Sequence, residues 1–202
     1  SLPRVRAWWA ERVEHFAHLG FSGAWIDMND PATGATENQE MLFGEGQSDH
    51  QSYHNQYGAG MAEATRAGFE RAYPDERPFI LTRSAFIGSG RFAAMWTGDN
   101  CSNWHHLAKS IEVSVHLALS GIPFNGPDVP GFGDNPDAEL AVAWYKVCFL
   151  FPFLRNHSQK NARRQEPWTF GKSSKIIRRY IRLRYKLLPY LYQLFVEQER
   201  TG

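Results

Sequence analysis

The chain has 202 residues, of which 43% are hydrophobic and 21% charged, a balance typical of a folded domain and too apolar for a disordered chain. Its 22 basic and 21 acidic residues leave a net charge of +1, which excludes a strong overall field for nucleic acid or an anionic membrane. No apolar run approaches the roughly 18 residues of a membrane span. Two cysteines are too few for a disulfide framework, and a start at Ser1 without an initiator methionine or signal peptide is typical of a processed end or a fragment.

Short apolar runs alternate with helical patterns along the chain. Helices are predicted at residues 3–20, 57–73, 102–121, 136–148 and 173–199, the last with a kink at Pro189. Strands are predicted at residues 21–28, 78–83, 93–97, 122–125 and 149–154. Residues 31–54 are rich in Gly, Glu, Gln and Ser and are interpreted as a long surface loop of functional importance.

This alternation predicts a parallel α/β sheet. Neither a G-x-G-x-x-G nor a Walker motif is present, so a nucleotide-binding version has no support. Polar residues follow every predicted strand, which favours a (β/α)8 barrel over an open doubly wound sheet, because a barrel gathers such residues at one face. A full barrel needs eight strands in about 250 residues. Residues 1–202 are therefore expected to form one partial TIM barrel domain, comprising about its last five strands with their helices.

Two aspartates occupy equivalent places in this pattern. Asp27 and Asp99 each follow a tryptophan at the end of an apolar strand, at the border between core and cleft. Glycoside hydrolysis needs such a pair, with one carboxylate ionised as nucleophile and the other protonated as general acid. From spacing alone, a structural role for each as a strand-end cap or a turn residue is about as well supported.

Several motifs in order add a resemblance over residues 20–195. They are WIDMNDP at 25–31, HNQYG at 54–58, TRS at 82–84, WTGDN at 96–100, SGIPF at 120–124, GPD at 126–128, GF at 131–132 and PFLRNH at 152–157. Together they resemble the second part of the catalytic barrel of glycoside hydrolase family 31, the α-glucosidase and α-xylosidase family. The resemblance implies hydrolysis of terminal α-linked glucosyl residues from oligosaccharides by retaining double displacement, without a cofactor or a metal.

The resemblance also assigns roles. Asp27 matches the nucleophile and Asp99 the acid that later acts as base, with their carboxyl groups expected about 5–5.5 Å apart. Arg83 matches a residue that holds the nucleophile and binds sugar hydroxyls. Further matches are to polar sugar contacts at Asp128 and His157, and to apolar cleft walls at Trp25, Met28, Trp96 and Phe132.

Structural alternatives stay open for several of these residues. Arg83 could pair with a loop carboxylate, and Asp128 could form a turn. His157 could be a strand-end histidine with ordinary partners, while Trp96 and Phe132 could belong to the core. At the level of activity, the alternatives are an α-xylosidase or transglycosylase of the same family and a non-catalytic carbohydrate-binding fragment.

Departures from the family pattern limit what the resemblance implies. Asp30 stands where glutamate is more frequent, and Ala143 stands where arginine is usual. Nothing matches the family's first barrel strands, which supply an acidic residue to the sugar, or its flanking β-domains. A partial barrel exposes the edges of its sheet and part of its apolar interior. We therefore expect the isolated chain to be weakly active or inactive. We also expect it to self-associate or to require the missing barrel half and β-domains.

Other signals are weaker. Residues 172–186 are rich in Lys and Arg and could bind nucleic acid, but a solvated face of the last helix is the better interpretation. No set of His and Cys residues has zinc spacing. The sequence therefore predicts an oligosaccharide or α-glucoside as partner, with no nucleic acid and no membrane, and it does not indicate a compartment.

Overall fold

A computed structural model describes residues 2–34 and 36–202. The chain forms two compact units, one comprising Ser1–Trp96 and Leu117–Phe124 and the other Thr97–His116 and Asn125–Gly202. The α-helices are α1 (Pro3–Ala17), α2 (His50–Ala72), α3 (Trp104–Leu119), α4 (Ala138–Cys148) and α5 (Ser174–Thr201). The strands are β1 (Gly23–Ile26), β2 (Leu42–Phe43), β3 (Ser48–Asp49), β4 (Phe79–Thr82), β5 (Ala94–Trp96), β6 (Asn125–Gly126), β7 (Asp128–Val129) and β8 (Arg155–Asn156).

The first unit is built on a parallel sheet. Strand β4 pairs with β1 on one side and with β5 on the other, and Ile26 lies opposite Thr82 at the carboxyl end. Helices α1 and α2 pack together closely because Gly68 carries no side chain, and a Cβ there would lie 2.5 Å from the carbonyl oxygen of Ala10. This use of glycine explains why α2 tolerates a residue that weakens isolated helices. The strands predicted at residues 21–28, 78–83 and 93–97 are confirmed, whereas the strand predicted at residues 122–125 begins only at Asn125.

The predicted loop over residues 31–54 differs from the structure. It contains the antiparallel hairpin of β2 and β3, and α2 begins at His50 rather than at Tyr57. The helix starts early because the Asp49 carboxylate accepts hydrogen bonds from the Ser52 backbone N–H (2.8 Å) and hydroxyl (2.6 Å), which caps the first turn.

The second unit packs α4 and α5 over a parallel pair of strands. Asp128 of β7 lies opposite Arg155 of β8, and the core beneath includes Val129, Trp144 and Ile177. The predicted helix starts are confirmed, since Asn103 caps α3 through the His106 N–H (2.7 Å) and Asp137 caps α4 through the Leu140 N–H (2.8 Å).

The prediction of a strand over residues 149–154 is wrong, because β8 begins only at Arg155. The Arg184 guanidinium of α5 donates hydrogen bonds to the carbonyl oxygens of Phe149 (3.0 Å), Phe151 (2.5 Å) and Pro152 (2.7 Å). The Arg184 side chain therefore binds carbonyl oxygens that, in a strand, would accept hydrogen bonds from the neighbouring strand. An apolar run in the sequence does not indicate such a long-range contact.

Candidate active site

The first cluster of candidate residues lies where β1 and β4 end. Asp27 follows β1, and its Oδ1 lies 3.2 Å from Nη1 of Arg83, which follows β4. Arg83 also binds Oδ1 of Asp30 through Nε and Nη2, each at 2.8 Å. Arg83 thus makes the predicted contact with Asp27. It also makes the alternative contact, with a loop carboxylate, which is that of Asp30. One guanidinium orients Asp27, whose side chain keeps 37% of its surface exposed and available to a ligand.

Asn29 stabilises this cluster through buried hydrogen bonds, although the sequence does not predict it as a site residue. It is buried, and its amide donates to Thr82 Oγ1 at 2.8 Å and accepts from the Ser84 N–H at 3.0 Å. These bonds join the segment after β1 to the last residue of β4 and to the segment that follows β4. The buried Asn29 side chain therefore fixes the two segments that carry Asp27 and Arg83 relative to each other.

Met28 adopts an unusual backbone conformation between these two residues. Its φ is +59°, in the left-handed region that side chains other than glycine seldom adopt. The Met28 N–H donates to Asp27 Oδ1 at 2.8 Å, which fixes the carboxylate against its own backbone. The Met28 side chain is half-exposed, as a wall of a cleft requires.

Trp25 and Trp96 lie at different depths in this unit. Trp25 is half-exposed, whereas Trp96 is only 1% exposed and belongs to the core. Their rings meet edge to face, with centroids 5.5 Å apart. Trp25 can therefore offer a face to a ligand, and Trp96 supports it from within.

In the second unit, Asp128 and Arg155 form a buried ion pair. The Asp128 side chain has no exposed surface, and its Oδ1 accepts from Nη2 (2.7 Å) and Nε (3.0 Å) of Arg155. Burial raises the pKa of the Asp128 carboxyl above its usual range, while the Arg155 guanidinium lowers it. The other carboxylate oxygen, Oδ2, is buried and has no hydrogen-bond partner among the described residues, so one acceptor is left unsatisfied.

Phe132 and His157 stack on each other in the same unit. Their ring centroids are 5.4 Å apart, and the planes are inclined by 26°. Gln165, which sequence reasoning missed, is buried and donates to the carbonyl oxygens of Gly131 (2.8 Å) and His157 (2.9 Å). This amide ties the two ring-bearing segments together, and no charge or periodic pattern in the sequence indicates it.

Comparison with known proteins gives the family. The sequence profile described as "Glycosyl hydrolases family 31 TIM-barrel domain" matches residues 1–194. The chain belongs to glycoside hydrolase family 31. The predicted family and the predicted partial TIM barrel are thereby confirmed.

Several relatives of this family 31 chain are named α-glucosidases. It is 45% identical to alpha-glucosidase 2 of Bacillus thermoamyloliquefaciens, over 98% of the chain and 26% of that protein. It is 41% identical to human neutral alpha-glucosidase C, over 96% of the chain and 22% of that protein. A crystal structure of a glucosidase II alpha subunit superposes with a TM-score of 0.88 at 36% identity, over 97% of the chain and 22% of that protein. The family 31 chain thus spans about a quarter of the length of these relatives.

Within the described ranges of this family 31 chain, no group of three or more His, Cys, Asp and Glu side chains could hold a metal ion. None of the helices in residues 2–34 and 36–202 is long and apolar enough to cross a membrane.

The buried pair of the family 31 chain leads to a stability prediction. Arg155→Met should lower the free energy of unfolding at neutral pH by about 3–5 kcal/mol, because the Asp128 carboxylate would stay buried without its cation. The loss should shrink as the pH falls, since protonation removes the unpaired charge. Urea denaturation of both proteins at several pH values measures it.

Arg164→Met is the matched control. Arg164 pairs with Glu166, but 76% of its side-chain surface is exposed, so we expect little change in stability. Equal losses in the two variants, or a loss at Arg155 that does not depend on pH, would contradict the assignment of a buried ion pair.

Proposed function

We propose that the chain supplies both catalytic carboxylates of a retaining α-glucosidase, with Asp27 as nucleophile and Asp99 as acid and base. The observation that carries this proposal is the cluster at the ends of β1 and β4, where Arg83 and the Met28 backbone hold the Asp27 carboxylate while leaving it accessible. The names of the relatives, which are α-glucosidases at about 40% identity, support glucose as the sugar.

The reaction would proceed in two displacements. Asp27 forms a bond to the anomeric carbon while the glycosidic bond breaks, and the leaving oxygen takes a proton from Asp99. Asp99, now ionised, then removes a proton from water as the water oxygen displaces Asp27. The product keeps the starting configuration, and no cofactor is needed.

The remaining candidates would bind the sugar. A half-exposed Trp25 and the adjoining Met28 offer apolar surface to the C–H faces of a pyranose. Asp128 Oδ2 and the polar edge of His157 would take hydroxyl groups, and Phe132 would fix the His157 ring by stacking. Arg83 would contribute a donor beside the nucleophile.

Trapping of the covalent intermediate tests this function. A 5-fluoro-α-glucosyl fluoride accumulates as the glycosyl-enzyme, because its ring fluorine slows both displacements through their oxocarbenium-like transition states while its fluoride leaving group keeps the first one fast. We expect mass spectrometry to find one added fluoroglucosyl group, carried by the peptide that contains Asp27. Sugar binding without an adduct would instead support the non-catalytic alternative.

Further polypeptide or a second copy of the chain would complete the barrel. Strand β1 is an edge strand of its sheet, and the nearby Phe21 and Trp25 are each about half-exposed. Because an exposed edge beside apolar side chains favours association, we expect the isolated chain to form oligomers. Sedimentation equilibrium measures this, and a monomer with normal α-glucoside turnover would contradict it.

A further inference from the structure

We infer that Asn100 is a positioning residue that holds Asp99 ready for proton transfer, an inference that rests on the proposed function. The need for such a residue follows from Asp99 itself. Its side chain is exposed and, within residues 2–34 and 36–202, makes no hydrogen bond or ion pair with another side chain. The location of its carboxyl group therefore depends on the backbone on either side.

The backbone before Asp99 makes a long-range hydrogen bond at Thr97 and a local one at Gly98, whose carbonyl oxygen accepts from the Asn100 N–H at 2.9 Å. The Thr97 N–H donates to the carbonyl oxygen of Gly126 at 3.1 Å. Gly98 follows with φ of +85°, a conformation that glycine adopts without strain. Glycine also permits many other conformations, so Gly98 does not itself fix the direction of Asp99.

The backbone after Asp99 is held by Asn100. Its side-chain amide donates to the Asp128 carbonyl oxygen at 2.9 Å, and its Oδ1 accepts from the Asp128 N–H at 3.2 Å. Its own carbonyl oxygen accepts from the N–H groups of Phe132 (2.7 Å) and Gly133 (3.1 Å). Asn100 is 8% exposed, so water does not compete for these bonds. Four hydrogen bonds thus attach the residue next to Asp99 to the segment 128–133.

Only an amide side chain satisfies this arrangement. The Asp128 backbone presents one N–H donor and one carbonyl acceptor, and asparagine supplies the matching acceptor and donor. Aspartate lacks the N–H and would set a carboxylate against a carbonyl oxygen, while serine can satisfy one partner at a time. Either replacement leaves a buried peptide group unpaired.

Loss of this attachment would affect proton donation more than other steps. A general acid works only within hydrogen-bond reach of the leaving oxygen, and a displacement of about 1 Å can cost 100-fold in rate. A leaving group that departs without a proton, such as fluoride, makes no such demand. The value of kcat/KM reports the first irreversible step, which here is departure of the leaving group.

The test compares two substrates in Asn100→Asp and Asn100→Ser. For maltose, whose leaving group needs a proton, we expect kcat/KM to fall about 100-fold. For α-glucosyl fluoride we expect a fall of less than about 3-fold. Equal falls for both substrates, or no fall for either, would overturn the inference.

Asn125→Asp is the matched control. Asn125 is fully buried in the same unit, and its amide also makes a two-point contact, with the Ser114 hydroxyl (2.6 Å) and carbonyl oxygen (3.2 Å). Its replacement should lower the folded fraction and thereby reduce turnover of both substrates equally. A preference for fluoride in this control as well would also overturn the inference, because it would then reflect general destabilisation.

Hydrogen exchange separates this inference from the proposed function. If the parent chain hydrolyses neither substrate and forms no adduct even when further polypeptide completes the barrel, the proposed function fails, and the attachment by Asn100 is still measured. In Asn100→Ser, whose short side chain cannot satisfy both Asp128 groups, the amides of Asp128, Phe132 and Gly133 should exchange at least tenfold faster, while the capped amide of Leu140 keeps its rate. Unchanged exchange at the three amides, or equal acceleration at all four, would overturn the attachment.

Discussion

Asp27→Asn should lower kcat/KM for α-glucosides by roughly 10⁴–10⁶-fold, the range expected for removal of a nucleophile. The amide is too weak a nucleophile to bond to the anomeric carbon, so the first displacement cannot start. Binding should be less affected, because asparagine keeps the size of the side chain and its acceptor for the Met28 N–H. Steady-state kinetics with maltose and with α-glucosyl fluoride should show the same large loss for both substrates.

Asp75→Asn is the control for this variant, since Asp75 is an exposed aspartate in the turn before β4. We expect its kinetics to match those of the parent chain. Fluoroglucosyl labelling that persists in Asp27→Asn would move the nucleophile to another residue and remove the basis of the proposed mechanism.

Asp99→Asn should affect the turnover of maltose and of α-glucosyl fluoride differently. For maltose, kcat/KM should fall about 10²–10⁴-fold, the usual contribution of a general acid. For α-glucosyl fluoride, kcat/KM should stay near the parent value, but kcat should fall because water then lacks its base in the second displacement. Steady-state kinetics on the two substrates give both quantities.

Added azide provides the control for Asp99→Asn. Azide needs no base, so it should restore kcat for the fluoride and yield an α-glucosyl azide, which chromatography identifies. If maltose and the fluoride lose kcat/KM equally, Asp99 is not the acid, and another carboxylate must be sought.

The alternation of strands and helices could be predicted because it follows from hydrophobic period and from capping residues such as Asn103 and Asp137. The hairpin of β2 and β3 could not, because its two-residue strands are shorter than any periodic signal. The absence of a strand at 149–154 depends on Arg184, which lies about thirty residues further along the chain. Long-range competition of this kind is not encoded in a local pattern.

The charged members of the candidate site could be predicted because they follow strands and match family motifs. The amides that hold them, Asn29, Asn100 and Gln165, were not assigned to the site. An amide carries no charge, and its value lies in hydrogen bonds to groups that only the folded chain brings together. Trp96 shows the same limit for an apolar residue, since the sequence favours a cleft wall, with the core as the alternative, and the structure buries the side chain.

The contacts of Arg83 have a consequence for the charge of potential inhibitors. Asp27 and Asp30 share this single cation, so the three side chains together retain one negative charge. A sugar mimic with a protonated ring nitrogen would neutralise that excess, whereas an acidic sugar such as a uronic acid would add to it. Electroneutrality at the end of β1 thus favours basic iminosugars over anionic analogues, with a preference that added salt should weaken.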